Sequence, residues 1–233
     1  MQGQVVWSSY LIDLFNDPVF PYYRGIHLGM WITAVVIMYI LCVIFIIRSK
    51  REGIFDSQKW LFRSFALFFG LMGGTRIFFI IGCLIEPWYE ITLVIAYLFG
   101  ILSLTPAVMT LEKYIVTKTH KIFSLLAIAI SISSLIFVFI PSQYALSRGI
   151  MSAAMPFLLF IFVFLYVSVI RNSVGTVRKK SLLTLIGMVI IVIGTLLDSE
   201  ALLVAMANHI ITAAGPIVFS IGCIIIGYSQ KLD

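Results

Sequence analysis

A chain of 233 residues that is 61% hydrophobic and 11% charged, with a mean hydropathy of +1.11, has too little polar surface to be dissolved by water, so lipid is the solvent its composition requires. The net charge of +6 is spread over short loops beside apolar runs, which excludes nucleic acid as a partner and points to topology signals and anionic lipid headgroups. The length leaves no room for a soluble domain beside the spans.

Residues 1–26 have no basic start and no clean apolar run, so they are not a signal peptide. Trp7, Tyr10, Leu11, Leu14 and Phe15 suggest a short amphipathic helix, ended by Asn16-Asp17-Pro18. The expectation is an extracytoplasmic interfacial helix or a lid over the bundle, with a disordered tail as the alternative. Residues 27–233 then form a single membrane domain.

Seven apolar windows follow: Leu28 to Ile47, Ser64 to Ile85, Ile91 to Leu111, Ile122 to Pro141, Gly149 to Ile170, Ser181 to Leu197 and His209 to Tyr228. Their lengths suit helices rising about 1.5 Å per residue through a core about 30 Å thick. The ten-residue alternating segments of a membrane β-barrel are absent. Charge alternates between the gaps. The first, third and fifth loops and the tail hold Arg48, Lys50, Arg51, Lys59, Arg63, Lys113, Lys118, Lys121, Arg171, Arg178, Lys179, Lys180 and Lys231, which is 13 of the 16 basic residues. Arg24 and Arg148 fall on the other side, and Arg76 lies within a span. The positive-inside rule then predicts an all-α integral membrane protein, a seven-transmembrane-helix bundle with its N-terminus outside and its C-terminus cytoplasmic, multi-pass in the cytoplasmic membrane. Short loops make neighbouring helices antiparallel and adjacent.

Arg76, in FGLMGGTRIFF, is the only formally charged residue well inside a span. A central Arg costs about 2.5–3.5 kcal/mol on insertion scales, so it is a functional hypothesis by default. By helix rise its Cα lies about 20 Å from the basic edge and that of Asp198 about 27 Å, an offset an extended Arg side chain can span. Asp198 is the expected partner, with Glu200 and Glu90 competing and Glu86 too far along the same helix. One reading is an outward-facing ligand pocket of Arg76, Asp198, Glu200 and Glu90, rimmed by His209, Trp88, Tyr89 and His27. The other is a structural ion pair, or an Arg reaching the outer headgroups.

Glycines and prolines make a second pattern. Gly70, Gly73 and Gly74 admit a close neighbour, and the heptad pairs Gly187/Gly194 and Gly215/Gly222 suit close packing of the last two helices or, alternatively, a homo-oligomer through those faces. Pro106, Pro156 and Pro216 each remove a backbone hydrogen bond, giving kinks that either move around a cavity or are static, and Thr105 is a candidate to re-satisfy the backbone. Cys42, Cys83 and Cys223 lie in apolar stretches and read as small apolar residues. No cofactor and no metal are expected. Span seven has no lysine for a retinal, no mid-membrane histidine pair faces another for haem, and HExxH, GxSxG and paired intramembrane aspartates are missing. No catalytic constellation is seen, so an enzyme is not expected.

Seven spans with an outside N-terminus match the layout of G-protein-coupled receptors. However, Leu111-Glu112-Lys113-Tyr114 stands where a DRY-like triplet belongs and span seven lacks NPxxY, so the likeness is one of topology. Through RNSVGTVRKKSLLTLIGMVIIVIGTLLDS, Arg171 to Ser199, the chain resembles the seven-helix membrane sensor regions of prokaryotic histidine kinases and their stand-alone relatives. There a basic loop with Gly and Arg leads into a Gly-containing sixth span. The resemblance implies a receptor or sensor-like protein. No kinase or other output domain is expected after Asp233, so the resemblance implies signalling to a separate cytoplasmic partner through the basic loops. The alternatives are a small-solute or lipid transporter or channel, or a structural subunit of a membrane complex. Transport needs a continuous polar path, and the cytoplasmic halves are expected to offer only Thr105, Ser103 and Ser168. No convincing internal repeat supports it.

Overall fold

The computed structural model describes residues 23–114, 116, 119–140, 144–197 and 209–231. Among them are seven α-helices: α1 Tyr23–Ser49, α2 Asp56–Leu84, α3 Tyr89–Tyr114, α4 Ile122–Val138, α5 Tyr144–Asn172, α6 Gly175–Leu197 and α7 His209–Ser229. No strand occurs among the described residues. Long runs without a polar break make this outcome necessary, because in lipid each backbone N–H and C=O must find its partner within the segment. The helices outrun the apolar windows at several ends. α2 begins at Asp56 rather than near Ser64, because Asp56, Lys59 and Arg63 can continue the helix into the polar interface, with Lys59 Nζ 3.8 Å from Asp56 Oδ1. Gly53, at φ 81°, turns the chain between α1 and α2 where a Cβ would be strained. A short 3₁₀ turn, Glu86–Trp88, joins α2 to α3.

Five of the helices contain a stretch long and apolar enough to cross a membrane, while the apolar helices Ile122–Val138 and Ala214–Ser229 are shorter. The protein is thus a helical bundle of the membrane type. α1 shows why. Trp31, Ala34, Met38 and Phe45 are buried, yet Ile32, Val36, Ile40, Val43 and Ile47 recur at helical spacing on the exposed side. A helix whose outward face is also apolar is built for lipid.

The packing order follows from paired contacts. Phe45 of α1 stacks on Phe69 of α2 with centroids 5.7 Å apart, and Ser64 of α2 meets Thr110 of α3, so these neighbours run antiparallel. α3 also packs on α4 and α5, α5 on α6, and α6 on α7, and α7 returns to α1. The ends bearing the basic loops therefore gather together, called here the basic end. Phe45, Phe65, Phe68, Phe69, Phe162 and Phe219 fill the centre.

The α6–α7 contact is backbone to backbone. A Cβ at Gly194 would sit 2.5 Å from the backbone nitrogen of Phe219, and one at Gly222 would sit 2.7 Å from the carbonyl oxygen of Gly187. The heptad glycines bring the two backbones together, as their spacing predicts, and each face is occupied by the other within the chain. Gly73 and Gly74 of α2 make a looser version, against the rings of Tyr39 and Phe99. The interfacial helix expected in residues 1–26 falls outside the described residues up to residue 22. α1 already begins at Tyr23.

Candidate functional site

Arg76 sits eight residues before the end of α2, away from the basic end, and only 6% of its surface is exposed. Its guanidinium lies over the indole of Trp31 from α1, with Cζ 3.8 Å from the ring centroid. Phe219 of α7 lies at 5.1 Å and Phe79 of α2 at 5.7 Å. Nη2 donates to the hydroxyl of Thr195 on α6 at 3.2 Å, while that hydroxyl donates to the carbonyl of Ile191 at 2.9 Å. Thr195 is thereby oriented with a lone pair toward the cation. Four helices, α1, α2, α6 and α7, meet on one positive charge.

The ring contacts account for how that charge is accommodated. A desolvated cation–π contact is worth about 2 kcal/mol, and a hydrogen bond to a charged group about 1.5–3 kcal/mol. Together they are enough to offset the cost of about 2.5–3.5 kcal/mol for placing an Arg at the helix centre. The planar, weakly hydrated guanidinium stacks where an ammonium could not. Trp31 is itself held edge-on by Phe219 at 5.4 Å and by His27 at 6.4 Å. His27 thus joins this cluster through Trp31, on the N-terminal turns of α1.

The other expected pocket residues divide. Tyr89 is buried and its carbonyl approaches Gly82, where Thr92 also packs, so it closes the α2–α3 turn. Trp88 is 56% exposed. Glu90 is half-buried in the first turn of α3. Asp198 and Glu200 fall outside the described residues, as does the side chain of His209. Thr195, which bonds Arg76, stands three residues before Asp198 on the sequence.

The basic end holds more buried polar groups than the three expected. Ser64 and Thr110 share a 2.6 Å hydrogen bond, and Ser64 also donates to the Pro106 carbonyl at 3.0 Å. Thr105 meets Ser131 at 2.8 Å, and Thr184 meets Ser229 at 2.9 Å with Gln230 added at 3.0 Å. Thr105 also bonds the Ile101 carbonyl at 3.1 Å, which is one residue before the Leu102 carbonyl that Pro106 leaves without its helical donor, so this bond does not re-satisfy the freed group. Small hydroxyls are inconspicuous in an apolar sequence because each can bond its own helix and pass as neutral until a neighbour arrives.

Glu112 is the residue the sequence hides best. It is 1% exposed at the end of α3, yet it serves α4. Its carboxylate accepts the N–H groups of Phe123 at 3.1 Å and Ser124 at 2.6 Å, and the Ser124 hydroxyl at 2.5 Å. These are the open donors of a helix N-terminus, where negative charge is also favoured by the dipole. The preceding residues His120 and Lys121 have φ 50° and 66°, and Lys121 supplies no side-chain cap. A cap reaching from another helix fixes that left-handed corner.

Cys42, half-buried, and Cys223, buried, are free thiols, and no group of three metal-ligating side chains occurs among the described residues. No protein-family model, no curated protein and no solved structure matches this chain.

Proposed function

We propose that this protein is a seven-span membrane receptor of the sensor type, with its N-terminus outside, that recognises an anionic group through Arg76 and signals at its basic, cytoplasmic end. The observation that carries the reading is the position of Arg76. A buried cation held by side chains of four helices, at the end opposite the basic loops, is a costly arrangement that most bundles do without. A ligand carboxylate competes for the guanidinium against the faces of Trp31 and Phe219, and Asp198 is the acidic residue proposed to steady it.

The transmission route is mechanical. α6 and α7 touch backbone to backbone at Gly194 and Gly222, so they move as one body. Thr195 and Phe219 connect that body to Arg76, and Thr184, Ser229 and Gln230 tie its opposite end. Shifting the guanidinium would tilt the pair and re-present Arg178, Lys179, Lys180 and Lys231 to a partner.

The test uses the detergent-purified protein and a panel of small carboxylates and phosphates, read by thermal stabilisation and by tryptophan emission. An anion that raises Tm in the wild type, far less in Arg76→Gln and at least as much in Trp31→Leu, where the competing ring is gone, supports the reading. Stabilisation that is equal in Arg76→Gln, or a panel that leaves Tm unmoved, overturns it in favour of a static tie between helices. Labelling of single cysteines placed in the loops at Glu52 and Trp88, from one side of sealed vesicles, checks the orientation.

A further inference from the structure

We propose that the groove between α1 and α2 at the basic end is a binding site for one anionic phospholipid. The groove holds about 510 Å³, within the range of small-molecule sites. Its walls are Cys42, Ile46, Ala66, Leu67 and Leu71, and Gly70 opens its floor. A Cβ at Gly70 would already lie 3.3 Å from the sulfur of Cys42, so the missing side chain is what leaves depth there. From Lys50 to Cys42 on one helix, and from Arg63 to Leu71 on the other, the walls run for eight residues, about 12 Å.

The mouth is different in character. Ser49, Lys50, Trp60 and Arg63 line it. The Arg63 guanidinium lies 5.0 Å from the Trp60 ring centroid, and the Lys113 ammonium, from α3, lies 6.0 Å from the same ring. Two cations, Arg63 and Lys113, thus lie over an exposed indole at the end of an apolar slot, and Lys50 lines the same mouth. The pattern is that of a lipid, with an acyl chain between Ile46 and Leu67, a phosphate among Lys50, Arg63 and Lys113, and the indole at headgroup level. In a bilayer an acyl chain gains little by leaving other chains for an apolar slot, so the cations, not the walls, decide which lipid is held.

The experiment uses the whole protein in phosphatidylcholine vesicles carrying increasing amounts of either phosphatidylglycerol or phosphatidylcholine brominated on its chains, with quenching of tryptophan emission as readout. A Trp60→Phe protein supplies the signal of the other tryptophans for subtraction. The expected result is that brominated phosphatidylglycerol quenches Trp60 at the lower mole fraction, and that Lys50→Gln and Arg63→Gln each reduce this preference about fivefold. Arg63→Lys should keep most of it. Ile46→Phe with Leu67→Phe, which narrows the slot between exposed residues, should weaken quenching by both lipids. Equal quenching by both lipids in the wild type overturns the proposal. So does a loss of preference in Lys179→Gln as large as in Arg63→Gln, since that would mark a diffuse surface potential instead of a site.

Discussion

The guanidinium of Arg76 lies over the indole of Trp31, its Cζ 3.8 Å from the ring centre, although the two residues belong to different helices and are 45 positions apart. The contact explains how a bundle made almost wholly of apolar residues retains a charge far from its basic end. It also makes the pair an energetic unit. In a double-mutant cycle with Arg76→Met and Trp31→Leu, the two side chains should show a coupling of about 1–2 kcal/mol. Unfolding in mixed micelles at rising dodecyl sulfate measures it. Simple additivity would mean that the ring is only a neighbour.

The glycines between α6 and α7 should be the least tolerant positions in the described chain. Gly194→Ala pushes a methyl group against the backbone of Phe219, where no side chain can swing aside. We expect a loss of about 1–3 kcal/mol from overpacking. Gly149→Ala is the matched control, because a Cβ there meets nothing within 4 Å, and it should be neutral or stabilising by up to about 1 kcal/mol. Equal effects at the two sites would refute the close approach.

Glu112 should act on a helix it does not belong to. Glu112→Gln keeps the shape but removes the charge that accepts from Phe123 and Ser124. The expected cost is about 1–2 kcal/mol. Hydrogen exchange gives the sharper readout: protection of the Phe123 and Ser124 amides should fall while that of α3 is kept. If exchange rises along α3 instead, the residue supports its own helix and not the corner before α4.

The hydroxyl pairs near the basic end should matter less than their burial suggests. Interhelical hydrogen bonds in membrane proteins average about 0.6 kcal/mol and reach about 1.7 kcal/mol, because the unfolded helices find other partners. Ser64→Ala, Thr110→Val and Ser229→Ala should each fall in that range by the same micelle titration. A loss well above it at Ser229 would indicate that the Thr184–Ser229–Gln230 link carries strain between α6 and α7.

Much of the bundle is legible in the sequence for one reason. Without water the backbone has no partner but itself, so an apolar window becomes a helix, as all seven windows do, and five of those helices hold a stretch long and apolar enough to cross a membrane. Helix α2 overshoots its window by eight residues, from Ser64 back to Asp56, because hydropathy marks where lipid begins and not where backbone hydrogen bonding stops. The heptad glycines were legible too, since small residues seven apart fall on one face whatever the neighbour is.

The site was legible only in its exception. A lone Arg in an apolar run announces itself, but its companions do not. Trp31 and Phe219 are two of many aromatics, Thr195 one of many hydroxyls, and Glu112 one of two charges beside a loop. Their roles come from being brought near a particular neighbour by packing, and helical spacing says which face a residue occupies but not what that face meets. The amino-acid sequence by itself determined that this chain makes apolar helices, where their apolar stretches lie, and which ends carry the positive charge. Only the tertiary structure decided that α1, α2, α6 and α7 close around Arg76, because the choice among apolar faces is made by shape, at glycines that let two backbones touch and at rings that fit a guanidinium.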